Sequence, residues 1–194
     1  MSSFVSHSIT GAAIAFHDRQ PFTRPLLWSC WLIVLACFPD SEYGVLWLFG
    51  INFFIRFTHS VVFCSLLPAC TLFYLLRYTP RQGRTERIIQ VFGAAYSHLV
   101  LDLLVGVYPL PLLWPFTDVG MTLPFGVLPS AGRLVLTNYY LYRNLFIELG
   151  ILLPLYSFLL FRRTIWEHRL RIWLLGGHLL IWLPCLAWGL LLER

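Results

Sequence analysis

Three stretches of this chain, 60–78, 88–108 and 170–192, run for about 20 residues each with almost no charge inside them. An α-helix rises 1.5 Å per residue, so each run covers roughly 30 Å, the thickness of a bilayer's hydrocarbon core. Of the 194 residues, 58% are hydrophobic and 12% charged, so a soluble fold would have nowhere to put its apolar surface. Lipid is therefore the solvent. A fourth run, 144–161, is nearly as long, with Pro154 inside it predicting a kink and Glu148 as its one charge. Three shorter runs, 4–16, 25–38 and 43–55, read as half-helices or as tilted, interfacial pieces. Together they predict an all-α polytopic membrane helix bundle of about six spans, with residues 1–194 forming one membrane-embedded domain.

The basic residues set the expected orientation. All fourteen are arginine, and eight fall in two segments between apolar runs: Arg77, Arg81, Arg84 and Arg87 in 77–87, and Arg162, Arg163, Arg169 and Arg171 in 162–171. Loops that carry Arg in this way stay in the cytoplasm, and the clustering argues against a nucleic-acid-binding face. Both segments are thus expected on the cytoplasmic side of a bacterial-type inner membrane. The segment 109–142 holds only Asp118 and Arg133 among Pro, Gly and aromatic residues, so it is expected on the opposite side, on or dipping into the outer leaflet. Alternation then places 17–24 in the cytoplasm and both termini outside. The first 16 residues lack a basic n-region, and no small-residue cleavage site follows, so they are expected to stay on the mature protein. Five cysteines without a C-x-x-C pair read as buried small hydrophobes.

This topology, drawn from arginine alone, brings His7, Asp40, Glu42, His59, His98 and Asp102 into the outer half. Ionisable groups in the hydrocarbon cost several kcal/mol unless paired, hydrated or metal-bound, so their convergence points to function. The plainer alternative is that each is satisfied separately by a carbonyl or a water. His98 and Asp102, at i and i+4, share one helix face, with Gly93, Ala94 and Ala95 admitting a neighbour. They either share a metal or hydrogen-bond each other. Asp40 and Glu42 follow Pro39, where a turn offers carboxylates to a cation or simply to water. His59 starts a span, and Arg56 beside it can pair with Asp40 or hold an anionic group such as phosphate.

These residues occur in a recognisable order: His7; Pro39-Asp40-Ser41-Glu42; Arg56-Phe57-Thr58-His59-Ser60; and Ser97-His98-Leu99-Val100-Leu101-Asp102 before the Pro-rich 109–116. The order and spacing resemble those of the YdjM-like family, regarded as membrane-bound metal-dependent hydrolases, over roughly residues 1–120. The resemblance implies a divalent metal held by His7, Asp40, His59, His98 and Asp102. Zinc is the first expectation, with Mn²⁺ or Fe²⁺ as alternatives, because mixed imidazole and carboxylate ligands suit them better than Ca²⁺. It also implies hydrolysis of a membrane lipid or lipid-like ester or phosphoester, with Glu42 accepting a proton and Arg56 steadying an oxyanion or phosphate. This chain departs from the family twice. Glu42 replaces a second Asp, and Phe54-Ile55 stand where the family has His-Arg, which removes one possible imidazole.

Two other functions fit the same residues, a small proton or divalent-ion transporter and a non-catalytic membrane adaptor. A transporter should have ionisable groups along both halves of its path. An adaptor gains from Phe54 and Ile55. Of the remaining ionisable residues, Glu148 can join the site or pair with Arg143 near the outer face, the pair being expected; His178 is expected to hydrogen-bond between helices, and His17 and His168 to lie in polar loops.

Overall fold

The structure is a computed structural model that describes residues 2–16, 24–51, 53, 55–130, 137–161 and 168–192, with the backbone alone at 161 and 168–175. Seven α-helices occur among the described residues: α1 Phe4–Phe16, α2 Pro25–Cys37, α3 Ser41–Phe49, α4 Val61–Tyr78, α5 Arg84–Val105, α6 Tyr139–Phe161 and α7 His168–Leu191. By length and apolar composition, the stretches Pro25–Phe49, Val61–Tyr78, Arg84–Val105 and Tyr139–Leu160 can each cross a bilayer. Phe4–Phe16 and Gly176–Leu191 are shorter apolar helices, which is consistent with about six spans. His168, read as a loop residue, begins α7.

The two short runs expected at 25–38 and 43–55 are joined. Pro39 lacks an N–H and tightens the chain into a single 3₁₀ turn, Phe38–Asp40, between α2 and α3 without breaking the helical path. Gly50 ends α3 in the left-handed region at φ 68°, with its N–H donating to the Leu46 carbonyl at 2.9 Å. Asp40 and Glu42 therefore sit on a helical joint, not in a solvated turn.

At the centre lies α5. Half of its span is buried, against 22 to 33% of the other three spanning stretches. Its buried residues, Gln90, Val91, Ala94, Ala95, His98, Leu99, Leu101, Asp102 and Val105, recur at helical spacing along one stripe. α1 packs along α2, and Gly11 makes the approach possible, because a Cβ there would lie 2.8 Å from the Leu32 carbonyl oxygen. Outward faces carry Leu26, Phe73, Phe158 and Leu180, as a lipid-facing surface requires. Cys64 and Cys185 are buried and Cys37 partly so. Cys30 and Cys70, expected inside, face outward, where lipid puts no penalty on a small apolar side chain.

The segment after α5 is non-helical and folds back onto the bundle. Leu110 and Met121 form an isolated antiparallel bridge, the Val61 N–H donates to Leu112, and the Val127 and Leu128 N–H groups donate to the Leu104 carbonyl. Leu110 and Leu128 are fully buried. Packing on protein takes up these two leucines, whereas Leu113, Phe116, Val119 and Phe125 face outward. Arg133, His17 and residues 162–167 lie outside the described residues.

Candidate metal centre

Chain direction explains how residues a hundred positions apart come together. His7 lies in the first turns of α1, Asp40 closes the 3₁₀ turn after α2, and Glu42 opens α3. His59 ends a second 3₁₀ turn, Phe57–His59, just before α4, whose N-terminus is capped by the Ser60 hydroxyl accepting from the Phe63 N–H at 3.2 Å. His98 and Asp102 occupy the second half of α5. All of these points fall at the end of the bundle opposite the turn that joins α4 to α5. Trp114, on the returning segment, packs against Phe57 beneath the second turn.

The imidazoles and carboxylates meet in a buried cluster. His7, His59 and His98 have no solvent exposure, and Asp102 has 3%. His59 Nε2 lies 3.6 Å from Asp40 Oδ1 and 3.4 Å from Asp102 Oδ2; His98 Nε2 lies 3.7 and 3.8 Å from the same two oxygens. His7 Nε2 is 3.5 Å from Asp102 Oδ1, and its ring stacks on His98 with centroids 3.9 Å apart. Each of the sets His7, Asp40, His98 and His59, His98, Asp102 can present ligand atoms within 4.8 Å of one another.

Does the cluster suit a metal ion? Four of its buried atoms, His7 Nδ1, Asp40 Oδ1, His98 Nε2 and Asp102 Oδ2, have no hydrogen-bond partner. His98 Nδ1 lies 2.7 Å from the Ala36 carbonyl, which can only accept, so Nδ1 carries the proton and Nε2 turns a bare lone pair inward. A tetrahedral ion with bonds of about 2.0–2.2 Å separates its ligand atoms by about 3.3–3.6 Å. The four imidazole–carboxylate separations of 3.4 to 3.8 Å are within a few tenths of that. Donor type, spacing and unmet lone pairs all fit a divalent ion.

Glu42 and Arg56 flank this set. Arg56 Nε donates to Glu42 Oε1 at 2.9 Å, its Nη2 lies 2.6 Å from His59 Nε2, and its guanidinium sits 5.8 Å from the Tyr43 ring centre. Thr58 donates to Glu42 Oε2 at 2.7 Å, and Glu42 Oε1 is 3.3 Å from His59 Nδ1. Burial works against a charged His59, but the carboxylates of Asp102 and Asp40 outweigh it and raise its pKa above the usual imidazole value. For Arg56 too, the loss of solvent is offset by Tyr43 and Glu42, and its pKa is raised. A cavity of about 70 Å³ opens beside this pair, lined by Glu42, Tyr43, Leu46, Ile51, Phe53 and Arg56. Of the two departures, Phe54 lies outside the described residues; Ile55 is half-buried.

Sequence reasoning missed the N-terminal residues and the partner that holds them. The Ser2 N–H donates to Asp102 Oδ1 at 2.8 Å, and the Ser2 hydroxyl bonds with His7 Nε2 at 2.6 Å. The expected Glu148–Arg143 pair is not formed. Glu148 is buried and accepts from the Ser3 N–H at 2.9 Å, whereas Arg143 bonds to Asn144 and lies over the Tyr140 ring. The Ser3 N–H, left free before α1, meets the carboxyl group inside the bundle, where a surface guanidinium does not reach. Nor does Gly93 receive a neighbour, since its Cβ position meets only open space; Ala94 and Ala95 are the buried small residues there. His178 does bond across helices, 2.9 Å from the Ser157 hydroxyl.

No curated protein and no solved structure matches the chain. The description YdjM inner membrane protein matches residues 1–190, well beyond the 1–120 over which the motifs carried the resemblance. The chain is a multi-pass protein of the inner membrane and belongs to the YdjM inner membrane protein family.

Proposed function

We propose that the cluster binds one divalent metal ion, zinc by preference, and that the protein hydrolyses an ester or phosphoester of a lipid-like molecule. The supporting observation is that Asp40 Oδ1, His98 Nε2 and Asp102 Oδ2 are buried together without hydrogen-bond partners. Each unmet group costs about 1–3 kcal/mol, and a cation satisfies all three at once. His59 is a fourth candidate donor once its Nε2 gives up the hydrogen bond it accepts from Arg56 Nη2, and His7 stands behind His98. Both candidate ligand sets use His98, whose second nitrogen is taken by Ala36, which favours a single ion over two. When bound, the ion would supply Lewis acidity toward a water and an ester or phosphoryl oxygen.

The remaining roles fall to the chain's own residues. Arg56 meets an anionic or developing oxyanion oxygen with a guanidinium held in place by Glu42 and Tyr43. Glu42 takes a proton from the attacking water and returns it to the departing alcohol as the ester bond breaks. Both line the cavity, whose other walls are mainly apolar, and Trp47, Leu48 and Phe49 face outward beside it as a surface for an acyl chain. The arginine distribution supports an orientation with this end away from the cytoplasm. A transport path is disfavoured because, among the described residues, the buried His, Asp and Glu gather at one end of the bundle.

Metal analysis of the purified protein beside His98→Ala tests the assignment. About one ion per chain in the wild type, lost in the variant, is expected; no ion in either, or an ion retained by His98→Ala, overturns it. Glu42→Gln should keep the ion and lose hydrolysis of a lipid ester or phosphoester. Unchanged turnover in that variant removes Glu42 from the chemistry.

A further inference from the structure

A second cavity lies toward the end of the bundle opposite the metal centre. It is a crevice of about 890 Å³ between the first half of α2 and the second half of α4, walled by Leu27, Trp28, Trp31 and Leu67, with Arg24 and Arg87 also in its lining. The volume is within the range of small-molecule sites, roughly 300–1,000 Å³. The polar edges of the two tryptophans are already used. Trp31 Nε1 donates to Thr71 across the crevice at 3.2 Å, and Trp28 Nε1 donates to Gln90 of α5 at 2.7 Å. The wall they leave is apolar, and among the described residues the lining holds two guanidinium groups and no carboxylate. Leu27, Cys70, Tyr74 and Tyr78 are outward-facing, so the crevice opens sideways from the bundle.

We propose that this crevice binds an anionic phospholipid, with the headgroup phosphate met by Arg24 and Arg87 and an acyl chain lying along Trp28, Trp31 and Leu67. A basic pocket between spanning helices has the chemistry for an anionic headgroup. The sideways opening and apolar wall select a lipid over a free phosphate, which would use only the charged end. The crevice shares no lining residue with the metal centre, and on α5 Arg87 and His98 stand 11 residues or about 16 Å apart, so neither assignment depends on the other.

The test is native mass spectrometry of the purified full-length protein with equimolar phosphatidylglycerol and phosphatidylcholine of the same chains. Wild type should retain the anionic lipid roughly ten-fold over the zwitterionic one. Arg24→Gln/Arg87→Gln should bring the ratio to parity with metal content unchanged, and Arg24→Lys/Arg87→Lys should keep most of the preference. Cys70→Trp, which fills the crevice from its open side, should lower occupancy by both lipids, and it carries the test should the double Gln variant fail to fold. Equal retention of both lipids by wild type, a ratio unmoved by the Gln pair, full occupancy in folded Cys70→Trp, or displacement of lipid by millimolar inorganic phosphate would each overturn the proposal.

Discussion

The two ends of this bundle both collect charge, in opposite ways. At the end joining α4 to α5, Arg77, Arg81, Arg84 and Arg87 lie within eleven positions of one another and are exposed or half-buried. At the other, His7, Asp40, Glu42, Arg56, His59, and the α5 pair His98 and Asp102 come from several elements, span nearly a hundred positions, and meet in a buried cluster. Charges adjacent in sequence need no fold to bring them together, and water or headgroups solvate them. Charges gathered only by folding carry a desolvation cost that each must recover from the others. Dispersal in sequence followed by convergence in space is therefore the stronger mark of a chemical site.

That contrast breaks most visibly at Asp102. Removing it in Asp102→Ala leaves the Ser2 N–H and three imidazoles without their carboxylate, and should cost about 3 kcal/mol or more of stability together with the bound ion. Arg81→Ala, at the exposed end, should change stability by no more than about 0.5 kcal/mol and leave metal content alone. Denaturant unfolding in detergent, read beside metal analysis, checks both. If the two substitutions have equal effects, the cluster is only a set of ordinary polar contacts.

A smaller effect separates the cluster from the strap that lies against it. Glu148 holds the Ser3 N–H, and the preceding residue, Ser2, touches both His7 and Asp102. Glu148→Gln keeps the size but turns one acceptor oxygen into a donor facing an N–H. It should weaken metal binding about ten-fold, the lower end of what supporting groups contribute. Competition with a chelator measures it. Affinity equal to wild type would mean that His7 and Asp102 are oriented without the strap.

The sequence-level signals followed the same division. Spans and arginine runs were legible because bilayer thickness and local charge act on consecutive residues. The i, i+4 spacing of His98 and Asp102 was legible because one helix sets it. Glu148 was misread because its nearest charge in sequence, Arg143, drew the pairing, whereas its partner lies 145 positions away in the backbone of Ser3, where no side chain advertises a donor. Ser2 was missed for a related reason, since a serine carries no distinctive signal until folding places it against an imidazole. The joint at Pro39 was read as a break because proline usually ends a helix; here the 3₁₀ turn absorbs the missing N–H and presents Asp40 inward.

Two glycines extend the comparison to packing, with the smallest effects expected. Gly11 lies four residues after His7, and a Cβ there would meet the α2 backbone at 2.8 to 3.0 Å, a contact that neither backbone can relieve by a rotamer change. Overpacking of this kind costs about 2 kcal/mol. Alanine's better helix propensity returns about 1 kcal/mol, so Gly11→Ala should destabilise by about 1 kcal/mol net. The shift should tilt α1 enough to loosen the ion as well. Gly93, one turn before Ser97 on α5, has nothing within 4 Å of its Cβ position, so Gly93→Ala receives only the propensity gain and should stabilise by up to about 1 kcal/mol with metal affinity unchanged. Opposite signs for the two alanines, measured in one unfolding series, are expected from helix packing that is tight beside the cluster and open at Gly93. Equal signs would mean that backbone propensity alone governs both positions and that close packing of α1 on α2 does not position His7.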